Sequence, residues 1–361
     1  MRRWMVTIGI LTGLGIGAGG SVVGLGLYNV SATGGHWPGV SWLLHTVYKQ
    51  SVRLRTPDDQ PRPDLGDPGL IALGAGHYIS ACAPCHSAPD LGRTATMAAM
   101  VPPPPEIGEA LEDWQPGNLH WIVANGIKMT GMPGWPAPER SDEVWSVVAY
   151  LEAVRRGTAP DADAPPYEAR PSLAQTRAYC ANCHDGTGAV GPRLDIQSAD
   201  YLLAALQDYR GGRRRSGLME HAVSVVPEAE MDELAEWFAA GPDTARPGDA
   251  VPAAEIAEDH PGAALARTGT RDVPRCTACH DRAKADARYP ALAGQGRGFL
   301  ETQLRLWRSG TRAGSHEMLL AAQALTDSQI SDLADWYASL PPGWRQGATR
   351  TDGSAEEYKP E

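Results

Sequence analysis

A chain of 361 residues has room for two or three domains. It carries 43 acidic against 32 basic side chains, a formal net charge of −11, which excludes a nucleic-acid backbone as its natural partner. Its 40 glycines and 30 prolines call for extensive loops and turns.

The chain opens MRRWMVTIGILTGLGIGAGGSVVGLGLYNV, and after Arg3 no charged side chain appears until Lys49. The uncharged run from Trp4 to Val30 is long enough to cross a bilayer as a helix. A secretory signal has a shorter apolar core, about 7–15 residues. Residues 1–35 are therefore read as an uncleaved transmembrane anchor, with Val30 to Ala32 as a competing cleavage site. Arg2 and Arg3 place the N-terminus inside, although Lys49, Arg53 and Arg55 follow on the other side and weaken the charge rule. Gly13-x-x-x-Gly17, Gly15-x-x-x-Gly19 and Gly20-x-x-x-Gly24 suit close approach of a second helix, or simply make a glycine-rich span. Residues 36–67 read as a juxtamembrane segment and linker. His36 to Arg55, with Trp37, Trp42 and Tyr48 among apolar and late basic residues, is expected to lie along the membrane surface as an amphipathic helix. His45 belongs to that helix as an interfacial side chain rather than a ligand. Thr56 to Gly69 is rich in proline and aspartate and reads as a linker.

All six cysteines lie in three motifs, CAPCH (Cys82 to His86), CANCH (Cys180 to His184) and CTACH (Cys276 to His280). C-x-x-C-H is the pattern of c-type haem attachment. Cysteines at i and i+3 share one side of a helical turn, where both thiols can form thioethers with haem vinyl groups. The next residue then offers an imidazole to the iron. Zinc would need two such pairs drawn together and would leave the third unused. A thioredoxin-type site would occur once, beside a βαβ pattern that is not seen here. The motifs thus predict three covalent haem c groups, on Cys82, Cys85, Cys180, Cys183, Cys276 and Cys279, with His86, His184 and His280 as proximal ligands. Each porphyrin would add apolar volume to a small core. Bacteria attach such haem outside the cytoplasmic membrane, so the bulk of the chain is expected in the periplasm.

Each motif is followed by a helix rich in aromatics. GLIALGAGHYISACAPCH reads as a helix delivering the first motif, with Gly74 and Gly76 allowing close packing. Its partner is SDEVWSVVAYLEAV, with Ser141 as N-cap and Val144, Val147, Val148 and Leu151 as an apolar stripe. EMDELAEWFAA and TDSQISDLADWYASL occupy the same place after the other motifs, the latter opened by a Thr326/Gln329 capping box. These segments resemble class I cytochrome c domains, which implies an all-α architecture: a transmembrane helix, then domains at 68–157, 169–241 and 263–341. In that family a methionine downstream of the motif is the sixth iron ligand, and its thioether raises the potential. NGIKMTGMPGW resembles the family's distal loop and points to Met132, ahead of Met129, Met97 and Met100.

The second and third domains resemble each other. Pro192 matches Pro290, Leu194 Leu292, Gln197 Gln295, Arg210 Arg308 and, with one gap, Met219 Met318. Both resemble the halves of tandem two-haem cytochromes of the cytochrome c4 type, in which the methionine at this place binds iron. The resemblance implies Met219 and Met318, with His221 and His316 as alternatives and Met231 as core. It also implies that Pro192 and Pro290 carbonyls accept the proximal imidazole N–H. Proline- and acid-rich linkers divide the domains, and 342–361 reads as a disordered tail. Arg210 to Arg215, RGGRRR, is a basic cluster in an acidic chain: a docking patch, a partner for haem propionates, or a solvated loop.

Six-coordinate irons pass single electrons and leave no site open for oxygen or peroxide. The expectation is a membrane-anchored triheme electron carrier, not an enzyme. It would relay electrons in a respiratory chain towards a terminal oxidase, with membrane complexes and a soluble cytochrome as partners. The alternative is the cytochrome c subunit of a periplasmic dehydrogenase of quinoprotein, flavin or molybdenum type. Such subunits generally hold a C-terminal membrane segment, and the N-terminal one here departs from them. A haem peroxidase is the third reading and needs an open iron.

Overall fold

The computed structural model describes residues 2–27, 29–31, 34–36, 38–57, 59–89, 92–160, 172–184, 186, 190–241, 260–281, 289–342 and 344. Among them the regular structure is helical and no strand forms, as expected. The expected linkers fall largely, and the expected tail almost wholly, outside the described residues.

Helix α1 (Arg2–Gly24) is long and apolar enough to cross a membrane, and its span is unburied by the rest of the chain. That is compatible with an anchor or a signal sequence. Helix α2 (Pro38–Arg55) is two-sided. Val52 is fully buried and Tyr48 meets the Trp114 ring edge-on at 5.4 Å, while Val40, Trp42, Leu43, Leu44, Val47 and Leu54 face outward. The inner face docks on the first helical cluster and the outer face stays apolar, which suits a membrane surface.

The first cluster runs through α3 (Pro68–His77), one π turn (Tyr78–Cys82), α4 (Ala83–His86), α5 (Ala95–Ala98), α6 (Ile107–Glu112), α7 (Pro116–Asn125) and α8 (Val144–Arg155). Asp67 starts α3 by accepting the Leu70 N–H, with Pro68 in the first turn. The α3 and α8 backbones cross so closely at Gly74 that an added Cβ would fall on the Ser146 carbonyl. The predicted stripe of Val144, Val147, Val148 and Leu151 is buried in this crossing. Ser141 is not the N-cap. Pro138 starts a 3₁₀ turn, Pro138–Glu143, that holds Ser141 inside it, and α8 begins three residues later. The Ser141 carbonyl instead accepts a bond from His120 Nε2 at 2.8 Å.

The second cluster holds α9 (Leu173–Ala181), α10 (Ala199–Arg210), α11 (Gly217–Ser224) and α12 (Met231–Ala240) around Leu202, Val223, Met231, Leu234 and Phe238. The third holds α13 (Pro261–Thr268), α14 (Thr277–His280), α15 (Arg297–Ser309), α16 (His316–Gln323) and α17 (Asp327–Ser339) around Leu300, Ile330, Leu333 and Trp336. The Thr326/Gln329 capping box forms. Gly262 repeats the Gly74 notch against the Asp332 carbonyl. Arg210 reaches the Val223 and Val226 carbonyls, and Arg308 the Leu325 carbonyl, so the aligned arginines close equivalent helix ends.

The second cluster touches both others. Towards the first, Glu143 accepts Ser216 Oγ–H at 2.7 Å and the Leu218 N–H at 3.3 Å, and Arg140 donates to the Arg215 carbonyl at 3.1 Å. His77 of α3 lies between the Trp135 ring at 4.8 Å and the His221 ring at 5.2 Å. Burial pushes the His77 imidazole down to about 3, and His221 adds repulsion to a second charge. Burial lowers His221 as well. The folded state thus holds His77 neutral, while the unfolded chain takes a proton near pH 6.5. The stability this seam contributes is full above that pH and is lost as pH falls from about 6.5 towards 3, by at most about 1.4 kcal/mol per pH unit per histidine. Melting curves at about pH 7 and pH 5 should show a larger drop for the wild type than for His77→Gln.

Candidate functional site

Every motif folds as a turn of helix. His86 ends α4, and the Cys180 and Cys276 carbonyls accept the His184 and His280 N–H groups, each at 3.0 Å. Both sulfurs of each pair therefore share one side, and no disulfide joins any of the six. Burial, then the neighbouring thiol, raises Cys82 and Cys180 to about 12. Burial is also the main cause that takes Cys276 to about 11. No cluster of three or more histidine, cysteine or carboxylate side chains suited to a metal occurs among the described residues.

The three imidazoles are held alike. His86 Nδ1 lies 3.0 Å from the Pro105 carbonyl, His184 Nδ1 2.9 Å from Pro192 O and His280 Nδ1 2.9 Å from Pro290 O. A carbonyl can only accept, so Nδ1 carries the proton and Nε2 keeps its lone pair for an iron. The expected partners Pro192 and Pro290 are found. Pro105 was not anticipated; only the proline run PPPP before Glu106 marks it in the sequence.

Of the methionines expected as distal ligands, Met132 is partly buried against the first core, and its carbonyl accepts the Ile127 N–H at 3.2 Å. Met129 is turned out, 98% exposed. Met97 Sδ sits 3.6 Å from Cys85 Sγ, and the Met100 methyl lies against Gly131. Met219 and Met318 occupy the same third position of α11 and α16, and each N–H is bonded 3.2 Å from its capping serine, Ser216 or Ser315. His221 is turned towards His77, and His316 is exposed at the start of α16.

The basic cluster is divided by the fold. Arg210 closes helix ends, Arg213 pairs with Asp208, and Arg215 binds Glu139 and the Pro136 carbonyl. Arg214 stacks over Tyr209 at 4.6 Å, and Arg312 over Trp307 at 4.9 Å. Both guanidiniums converge on the Tyr201 phenol: burial raises it, and the two cations bring it below its usual range. Neither forms an ion pair with a carboxylate among the described residues, so their charge is free to meet an acidic group such as a haem propionate. Paired sulfurs, imidazoles oriented through Nδ1, and guanidiniums without a carboxylate partner among the described residues fit haem c.

Residues 69–151 match the family described as cytochrome c oxidase, cbb3-type, subunit III. A thiosulfate dehydrogenase electron acceptor of Stutzerimonas stutzeri (strain A1501) is 36% identical over 172 residues, 45% of this chain and 78% of that relative. A cytochrome c4 of Thiocapsa roseopersicina is 27% identical over 179 residues, 46% of this chain and 90% of that protein. The solved thiosulfate dehydrogenase (TsdBA) of Marichromatium purpuratum aligns with 45% of this chain and 36% of its own, at 28% identity and a TM-score of 0.38. The Stutzerimonas relative, named for the dehydrogenase whose electrons it accepts, overturns the expectation of a carrier that is not an enzyme: this chain is similar to a cytochrome that serves one. Haem motifs and ligands report on the iron and carry no information about which protein holds the substrate, which is why that reading went wrong.

Proposed function

The chain belongs to the cytochrome c family, and from that premise we propose that it is the electron-accepting cytochrome c of a periplasmic dehydrogenase, one that oxidises thiosulfate. The observation that carries this reading is the 36% identity to a protein named as a thiosulfate dehydrogenase electron acceptor. It sets the dehydrogenase subunit, the alternative in the sequence, above a general respiratory relay. Haem c, when bound, supplies a one-electron ferric/ferrous couple. Cys82 and Cys85, Cys180 and Cys183, and Cys276 and Cys279 hold three such groups, in domains at 68–157, 169–241 and 263–341. His86, His184 and His280 would each offer Nε2 to an iron, and Met132, Met219 and Met318 would each offer a thioether. Arg214 and Arg312 meet propionate charge at the junction of the second and third domains. Helix α1 anchors the chain, and the outer face of α2 rests on the lipid. The match of residues 69–151 to an oxidase subunit family favours an oxidase as the onward acceptor.

The test is to purify the full chain from membranes in mild detergent, count its haems by mass, and add a thiosulfate dehydrogenase with thiosulfate. Reduction of all three haems on the timescale of turnover supports the reading. Reduction by quinol alone, with no dehydrogenase able to replace it, overturns it.

A further inference from the structure

The second and third clusters are joined by two matching exchanges. Gln295 Oε1 accepts the Arg193 N–H at 2.8 Å, and its Nε2 donates to the Arg193 carbonyl at 3.1 Å. Gln197 Oε1 accepts the Ala291 N–H at 2.8 Å, and its Nε2 donates to the Ala291 carbonyl at 2.9 Å. Both glutamines are buried, 3% and 5% exposed. A buried amide leaves no hydrogen-bonding group unmatched without cost, so each exchange is firmly held.

The peptide units gripped in this way are the ones that hold the proximal histidines. Arg193 N–H shares its amide with the Pro192 carbonyl, which accepts His184 Nδ1–H. Ala291 N–H shares its amide with the Pro290 carbonyl, which accepts His280 Nδ1–H. An amide that donates a hydrogen bond becomes a better acceptor at its own oxygen. A better acceptor on Nδ1–H makes Nε2 a stronger electron donor, which favours ferric iron.

We infer that the two glutamines act crosswise: Gln295 of the third cluster lowers the potential of the haem on His184, and Gln197 of the second lowers that of the haem on His280. Each is a positioning residue that acts through a peptide and a histidine of the other domain. Opening the seam raises both potentials together. The first cluster is an internal control, since no glutamine reaches the Pro105–Glu106 amide among the described residues.

This inference rests on the proposal that all three motifs carry haem. The experiment is a haem-resolved redox titration of the full-length protein, read by NMR from the shifted haem methyls, in wild type, Gln295→Leu, Gln295→Glu and Gln197→Leu. Gln295→Leu should raise the potential of the His184 haem more than that of the His280 haem. At fixed poise its oxidised-to-reduced ratio falls by up to about tenfold, 59 mV for one electron. Gln295→Glu keeps the acceptor and should leave that haem at or below its wild-type potential. Gln197→Leu should give the mirror result, and the His86 haem should stay put in all three. An equal or larger shift at the His280 haem in Gln295→Leu, no shift, or a Gln295→Glu that follows Gln295→Leu overturns the crossed relay. Haem counts by mass on the same samples keep the two ideas apart: fewer than three haems in the wild type sinks the functional reading, while three haems without the crossed shift sinks only the relay.

Discussion

Gly74→Ala should unfold the first helical cluster and empty its haem site. A methyl is a small addition, but here it meets backbone. The new Cβ would fall on the carbonyl oxygen and carbon of Ser146, with the Tyr150 Cβ at 3.1 Å behind it. No rotamer change relieves such a clash, so α3 and α8 must move apart. Their crossing buries Val147, Val148 and Tyr150, and α3 leads through the π turn to Cys82 and Cys85. Overpacking a core usually costs about 1–3 kcal/mol, and a backbone collision belongs at or above the top of that range. That is a large share of the roughly 5–15 kcal/mol that holds a domain together. Gly262→Ala should do the same to the third cluster, where the Asp332 carbonyl stands in the Ser146 place. Gly298→Ala in α15 is the control: a Cβ there meets nothing within 4 Å. It should be neutral or stabilising by up to about 1 kcal/mol through helix propensity. Thermal melts and haem content by mass read all three. A Gly74→Ala protein with wild-type melting and a full haem count would show that the crossing can relax, against this account.

Gly74 also shows what was readable beforehand. A glycine eight residues ahead of a haem cysteine, on an apolar helix, already suggests a close crossing, because small residues and periodicity are local features. The same holds for the Thr326/Gln329 capping box and for the match of Met219 with Met318. Ser141 failed because a proline three residues earlier changed the type of turn, and local propensity could not weigh the two. Pro105 escaped because it reaches His86 across 19 residues of irregular chain. Gln197 and Gln295 were aligned with each other but given no role, since a bond between domains about a hundred residues apart leaves no trace in either local sequence. The dehydrogenase connection was legible only as the alternative, because haem motifs report on the iron and not on the protein that supplies its electron.

Replacing both Cys180 and Cys183 with alanine should cut electron transfer between the two ends of the molecule, leaving the end haem that the dehydrogenase does not reach oxidised during turnover. The reason is the middle place of the second cluster. Among the described residues the hydrogen bonds between clusters run from first to second, through Glu143 and Arg140, and from second to third, through the glutamines. None joins first to third. The Tyr179 hydroxyl bonds Ser80 Oγ at 3.2 Å, and an added Cβ on Gly76 would lie 3.4 Å from Cys183 Sγ. The edge that carries the second pair of thiols therefore faces the helix that delivers the first. Losing that haem can also loosen the second core, so a variant that keeps it is needed. Met219→His replaces a thioether by an imidazole and lowers the potential of the middle iron. Each 59 mV of lowering cuts the reduced fraction there about tenfold, and the rate between the ends falls with it. Stopped-flow reduction, followed at the two outer haems, separates the outcomes. Wild-type rates at both ends in the double cysteine variant would mean that the outer haems are filled independently, and the three motifs would then be separate ports on one anchor rather than a wire.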